Sequence, residues 1–132
     1  MQPSHLPPGF PAVTPYLSVK DPAGLQAFLT TVLDANPGDV HTAPDGHILH
    51  GSVTIGASVI AFSGASDQWP PTPAALHVYV PNVDATFAKA LAAGGVSLDA
   101  VSDKPYGERG GSVRDPFGNV WHLGTYTGIM QG

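Results

Sequence analysis

Cysteine is absent from this 132-residue chain, which removes thiol nucleophiles, thiolate metal sites and any disulfide framework at once. Charge is scarce: 11% of residues are charged, ten acidic against five basic, for a formal net charge of −5. No run of Lys or Arg can neutralise successive phosphates, so nucleic acid is not an expected partner. No apolar stretch approaches the roughly 18 to 20 residues that cross a bilayer. The head Met1-Gln2-Pro3-Ser4-His5 also lacks a basic region followed by an apolar one. These absences lead to the expectation of a soluble, cytoplasmic protein with no membrane partner. A chain of this length buries roughly two-thirds of its surface, enough for one ordinary core without staples.

Glycine and proline are plentiful by contrast, at 16 and 14 residues. The prolines cluster in the head and in Trp69-Pro70-Pro71-Thr72-Pro73, where they punctuate patterned segments. The spacing predicts a strand over 12–19 and a helix over 22–33, with Leu25, Phe28, Leu29, Val32 and Leu33 on one face. Asp21 is positioned as its cap and Pro22 in its first turn. Extended segments follow at 39–43, 47–55 and 58–63. After the proline linker the order repeats: a strand over 75–80, then a helix over 84–93 with Phe87, Ala88 and Leu91 inward and Gly94-Gly95 as its stop. Strands over 96–101, 110–114 and 120–126 complete the second half, the last two joined by the Asp115-Pro116-Phe117-Gly118-Asn119 turn. The plan is an internal duplication of strand, helix and three strands.

The expected fold is therefore α+β: two tandem βαβββ modules, 12–66 and 74–126, forming a curved mixed sheet around a central cavity, as a homodimer. Residues 1–11 are read as a flexible arm and 127–132 as a C-terminal tail. A concave, partly apolar surface carrying a few polar groups is the usual form of a small-molecule site, so a small-molecule ligand is the expected partner.

Three blocks give the chain its likeness to a known family. They are Val13-Thr14-Pro15-Tyr16-Leu17-Ser18-Val19 entering a helix, Leu76-His77-Val78-Tyr79-Val80 leading to Asn82-Val83-Asp84, and Tyr106-Gly107-Glu108-Arg109 leading to Arg114-Asp115-Pro116-Phe117-Gly118-Asn119-Val120-Trp121. In these the chain resembles the vicinal oxygen chelate superfamily of glyoxalases, extradiol dioxygenases and bleomycin-resistance proteins, and its glyoxalase-like bacterial branch above all. The resemblance places the metal positions of that superfamily at Thr14, Ala61, Ala75 and His122. Alanine supplies no donor atom and a neutral threonine hydroxyl is a poor one, so no metal ligand set and no cofactor is expected.

Residues two apart in a strand share a face. From the matched positions, the cavity face carries Thr14, Tyr16, Ala61, Ser63, Ala75, His77, Tyr79, His122 and Gly124, joined by Ile48, His50, Ser52 and Thr54. Leu49, Val53 and Ile55 then face a helix. His50, His77 and His122 are read either as lining of a ligand pocket, as a displaced metal triad, or as ordinary core histidines. Tyr106, Glu108 and Arg109 are assigned to a glycine-flanked loop that anchors or gates a ligand, or is simply solvated. Trp121 is expected in the core, while Trp69 sits in the linker. The expected ligand-binding residues are Tyr16, His50, Phe62, His77, Tyr79, Tyr106, Glu108, Arg109 and His122. Two functions compete: metal-independent binding of an aromatic or cationic compound, and a lyase, isomerase or dioxygenase-type enzyme using a divalent metal or a pocket base such as His77 or Glu108.

Overall fold

The computed structural model describes residues 5–130 and the side chains of 5–128. Residues 1–4 of the expected arm and 131–132 of the expected tail lie outside the described residues. The chain divides into two compact units with a boundary between Thr72 and Pro73, residues 31–33 grouping with the second. Each unit is a four-stranded mixed sheet with one helix in its sequence.

In the first unit the order along the chain is β1 (Tyr16–Val19), α1 (Pro22–Leu33), β2 (Asn36–Thr42), β3 (Ile48–Ile55) and β4 (Ser58–Gly64). The sheet order is β1-β4-β3-β2, with β1 parallel to β4 and the remaining pairs antiparallel. β1 starts four residues later than the sequence pattern implies. Pro15 has no N–H to give to a ladder, and its carbonyl instead accepts Ala61 N at 2.9 Å. The helix starts and stops as expected because every local signal agrees. Asp21 accepts from Gly24 N, Pro22 occupies the first turn, and Asp34 ends the helix in a left-handed conformation (φ 53°).

The second unit repeats this plan with β5 (Ala75–Tyr79), α2 (Val83–Ala92), β6 (Val96–Lys104), β7 (Tyr106–Arg114) and β8 (Val120–Met130). Its order, β5-β8-β7-β6, again places the first strand parallel beside the last. Two βαβββ units of the same topology bear out the duplication read from the sequence. β8 runs on to Met130, so 127–130 belong to a strand rather than to a tail. Among the described residues no helix is long and apolar enough to cross a membrane.

Helix α2 lies against β6, β7 and β8. It presents Val83, Thr86 and Ala90 as its buried face, not Phe87, Ala88 and Leu91; Leu91 is an exposed residue. Small side chains at the contact let the helix approach the sheet closely, and Val113 on β7 and Trp121 and Leu123 on β8 are essentially without exposed surface.

The Asp115–Asn119 turn is where sequence chemistry most directly fixes tertiary structure. Buried Asp115 accepts Phe117 N at 2.8 Å and Asn119 N at 2.9 Å on one oxygen. Its other oxygen accepts Asn119 Nδ2 at 3.1 Å and Trp121 Nε1 at 2.8 Å. Asn119, fully buried, in turn accepts Ala74 N at 3.1 Å through Oδ1. The turn therefore ties the entry of β5 to the β7–β8 connection and helps set the register of the three strands that carry the site.

Candidate functional site

The site is assembled by three strands of the second sheet. β5 and β8 pair so that His77 stands opposite His122 and Tyr79 opposite Gly124. β8 and β7 pair so that His122 stands opposite Ser112, Gly124 opposite Gly110, and Tyr126 opposite Glu108. Side chains in register share a face, so these residues all project from the sheet side away from Trp121, Leu123 and Val113. A cavity of about 440 Å³ opens on this face, lined by His77, Leu98, Lys104, Tyr106, Glu108, Ser112 and His122 among others.

Glu108 is the most unusual group here, a carboxylate with only 6% of its surface exposed. The two facing glycines explain how it fits. A Cβ at position 124 would stand 2.7 Å from Glu108 Oε2, and one at position 110 would stand 2.8 Å from the same oxygen. The side chain thus lies over bare backbone on β8 and reaches His77 on β5, where Oε2 and Nε2 are 3.2 Å apart. An ionised carboxylate only accepts, so His77 Nε2 carries the hydrogen and Nδ1 is left as the second polar edge of the ring. The His77 ring also meets Tyr79, with centroids 4.6 Å apart and planes tilted by 46°. Next to it, Ser112 Oγ and His122 Nδ1 are 2.7 Å apart, which leaves His122 Nε2 as its outer edge. Lys104, opposite Glu108 in register, donates to Asp99 at 2.8 Å; that bond raises its pKa above the usual lysine value.

The expected site residues fall into separate groups. His77, Tyr79, Tyr106, Glu108 and His122 are on the second unit, and His77, Tyr106, Glu108 and His122 line its cavity. Tyr16 and His50 are on the first unit, ring against ring at 5.7 Å, with His41 6.1 Å from His50. A hollow of about 640 Å³ in that unit is lined by Tyr16, Ser18, Leu49, Ser63, Trp69 and Thr72 among others. Leu49, expected against a helix, is 54% exposed beside it.

Two residues are corrections. Phe62 has no exposed surface and its ring fills the space over Gly51, so it is core and not ligand lining. Arg109 alternates with Glu108 and points the other way, donating to Asp84 through Nε (2.8 Å) and Nη2 (3.0 Å) and to Asp103 through Nη1 (3.2 Å). Both corrections follow from strand parity. Residues 106–109 form a strand and not the loop expected from their glycines.

The Arg109 hydrogen bond holds Asp84 below the usual carboxylate range. A lowered folded-state pKa stabilises above the unfolded value and stops doing so as pH falls through the folded one. Arg109→Ala is therefore expected to lower the urea midpoint slightly near neutral pH, with the difference closing in acid and in high salt, because the pair is exposed. A deficit that persists in acid would show that Arg109 acts through packing instead.

Sequence reasoning missed Gly110, Ser112 and Lys104. The signal was the alternation Glu108, Gly110, Ser112 within a strand, hidden by the glycines that break an apolar pattern.

The sequence pattern of the Glyoxalase/Bleomycin resistance protein/Dioxygenase superfamily matches residues 10–123. Uncharacterized protein Rv0887c of Mycobacterium tuberculosis is 34% identical over 125 residues, covering 86% of this chain and 74% of that one. TioX from Micromonospora sp. ML1 superposes with a TM-score of 0.73 at 25% identity, over 86% of this chain and 97% of TioX. The fosfomycin resistance protein FosX from Listeria monocytogenes, solved with Mn(II) and sulfate, shares the fold at a TM-score of 0.68 and 16% identity, over 89% of this chain and 90% of FosX. The chain belongs to the glyoxalase/bleomycin resistance/dioxygenase superfamily.

Two of the four positions matched to metal ligands cannot bind the divalent ion of the metal-dependent members. Of the four matched positions, Ala61 and Ala75 offer only methyl groups. Among the described residues no group of three or more His, Asp or Glu side chains is arranged to hold a metal ion.

Proposed function

We propose that the chain is a metal-independent small-molecule binding protein that holds an aromatic or cationic compound on the polar face of its second sheet. The observation that carries this reading is the Glu108 carboxylate, buried over Gly110 and Gly124 and joined to His77. Burying a charge is costly, and a fold that clears two side chains from facing strands to accommodate one has shaped a recess around it. Tyr79, Tyr106 and the outer edges of His77 and His122 add aromatic surface and hydrogen-bonding groups beside it, the usual mixture in a small-molecule site.

The test is a titration of the full chain with a fragment collection, read by backbone amide chemical shifts before and after dialysis against a chelator. Fragments are expected to move amides of β5, β7 and β8 and to do so equally after chelation. Silence on these strands across the collection would overturn the reading, and binding lost with chelation would overturn its metal independence.

A second reading is favoured by the same contact. A carboxylate that fixes the tautomer of an imidazole is the arrangement of a general base and its orienting group, so His77 could move a proton without a metal. Conversion of a bound fragment over time, abolished in His77→Gln, would establish this enzyme in place of the binding protein.

A further inference from the structure

We infer that the compound bound on this face carries a primary or secondary ammonium whose N–H groups donate to Glu108. This rests on the binding reading above and narrows it to a chemical class. The Glu108 side chain is 7% exposed, and among the described residues its hydrogen-bonding partner is His77 alone. A carboxylate offers about four acceptor positions, so one bond leaves most of its capacity for protein or ligand donors unused. Among the described residues no fully enclosed side-chain oxygen lacks a partner, so the second oxygen of Glu108, which has none, is open to the cavity that Glu108 lines.

The charges around that oxygen are unbalanced. Glu108 and Asp99 both line the cavity, against the single ammonium of Lys104. Lys104 Nζ donates to Asp99 at 2.8 Å and acts on Glu108 only through space, so Glu108 is the carboxylate with no permanent cation hydrogen-bonded to it. A ligand ammonium supplies both missing terms, the charge and the donors, in charge-assisted bonds stronger than neutral ones. Tyr106 lines the same cavity and Tyr79 packs at a tilt against His77, both tyrosines more than half exposed, so aromatic faces flank the path of an incoming cation. A quaternary ammonium would meet the aromatics but has no N–H for Glu108, and an anion would meet a like charge.

The experiment titrates the full chain with benzylamine, benzyl alcohol and benzyltrimethylammonium, following amide shifts on β5, β7 and β8. Benzylamine is expected to bind at least about tenfold tighter than either of the others. Glu108→Gln is expected to abolish that preference, so that benzylamine binds no tighter than benzyl alcohol. Benzyl alcohol equal to benzylamine on these strands would overturn the ammonium while leaving the binding reading intact. A quaternary ion equal to the amine would overturn the role of Glu108 as acceptor. Failure of all three alongside fragments that do bind the face would overturn the ammonium alone, whereas a face silent to every compound would remove both readings. The comparison among ligands is made on the unaltered chain, so it decides the matter even where Glu108→Gln fails to fold.

Discussion

Asp115→Ala is expected to lower the melting temperature by about 10 °C or more. Asp115 is 3% exposed and its two oxygens accept four hydrogen bonds, from Phe117 N, Asn119 N, Asn119 Nδ2 and Trp121 Nε1. Alanine would strand those donors in a region where Asn119 and Trp121 are closed to water. Each orphaned buried donor costs about 1–3 kcal/mol, and water entering the vacated space recovers part of it, for a net loss of about 3–5 kcal/mol. Thermal and urea melts of the full chain check the figure; a loss below about 1 kcal/mol would mean that the turn is held by its backbone alone. Asp115→Asn is expected to fall between the two, because an amide keeps one acceptor and turns a donor toward other donors. The consequence extends to the site. Asn119 accepts Ala74 N at the entry of β5, so loosening the turn loosens the register that sets His77 beside His122.

The fold was legible in the sequence where independent local signals coincide. For α1 the cap, the proline and the apolar spacing agree, and the helix occupies the expected 22–33. The same holds for the Asp115 turn, whose side-chain acceptors act on the amides that follow it. Legibility failed where glycine interrupts an apolar pattern. Gly107 and the flanking Gly110 made 106–109 read as a loop ahead of a strand over 110–114, which hid the parity that separates Glu108 from Arg109. In α2 the choice of face failed because Thr86 and Ala90 carry too little hydrophobic signal to outweigh Phe87 and Leu91, although their small size is what suits the contact. Phe62 was misassigned because aromatic character was weighed above alternation; its neighbours Ala61 and Ser63 share the face of Tyr16 and His50, while Phe62 points the other way. What no single-sequence argument could supply is the Glu108–His77 contact, since it joins β5 to β7 across an intervening strand that carries glycine at the crossing.

That crossing glycine gives the sharpest separation of site from scaffold. Gly124→Ala is expected to reduce ligand affinity at least about tenfold while changing stability by no more than about 1 kcal/mol. A Cβ there would stand 2.7 Å from Glu108 Oε2 and 2.9 Å from Cδ, too close for both to stay. The atoms it meets are the far end of a flexible side chain, so the carboxylate swings away and the backbone holds. Position 124 has no left-handed φ, so alanine meets no conformational penalty and removes some freedom from the unfolded chain. The opposite glycine is a poorer probe, since a Cβ at 110 also stands 2.9 Å from the carbonyl of Leu123, which cannot yield without bending β8. Displacing Glu108 breaks its bond to His77 and frees the ring to rotate, so anchor and orienting group are lost together. Parallel melts and amide-shift titrations of Gly124→Ala and the unaltered chain check this with the fragments that bind. Unchanged affinity with a shifted Glu108 would place the ligand elsewhere on the sheet, because a recess that can be filled by a methyl group at no cost to binding is not the recess that holds the ligand.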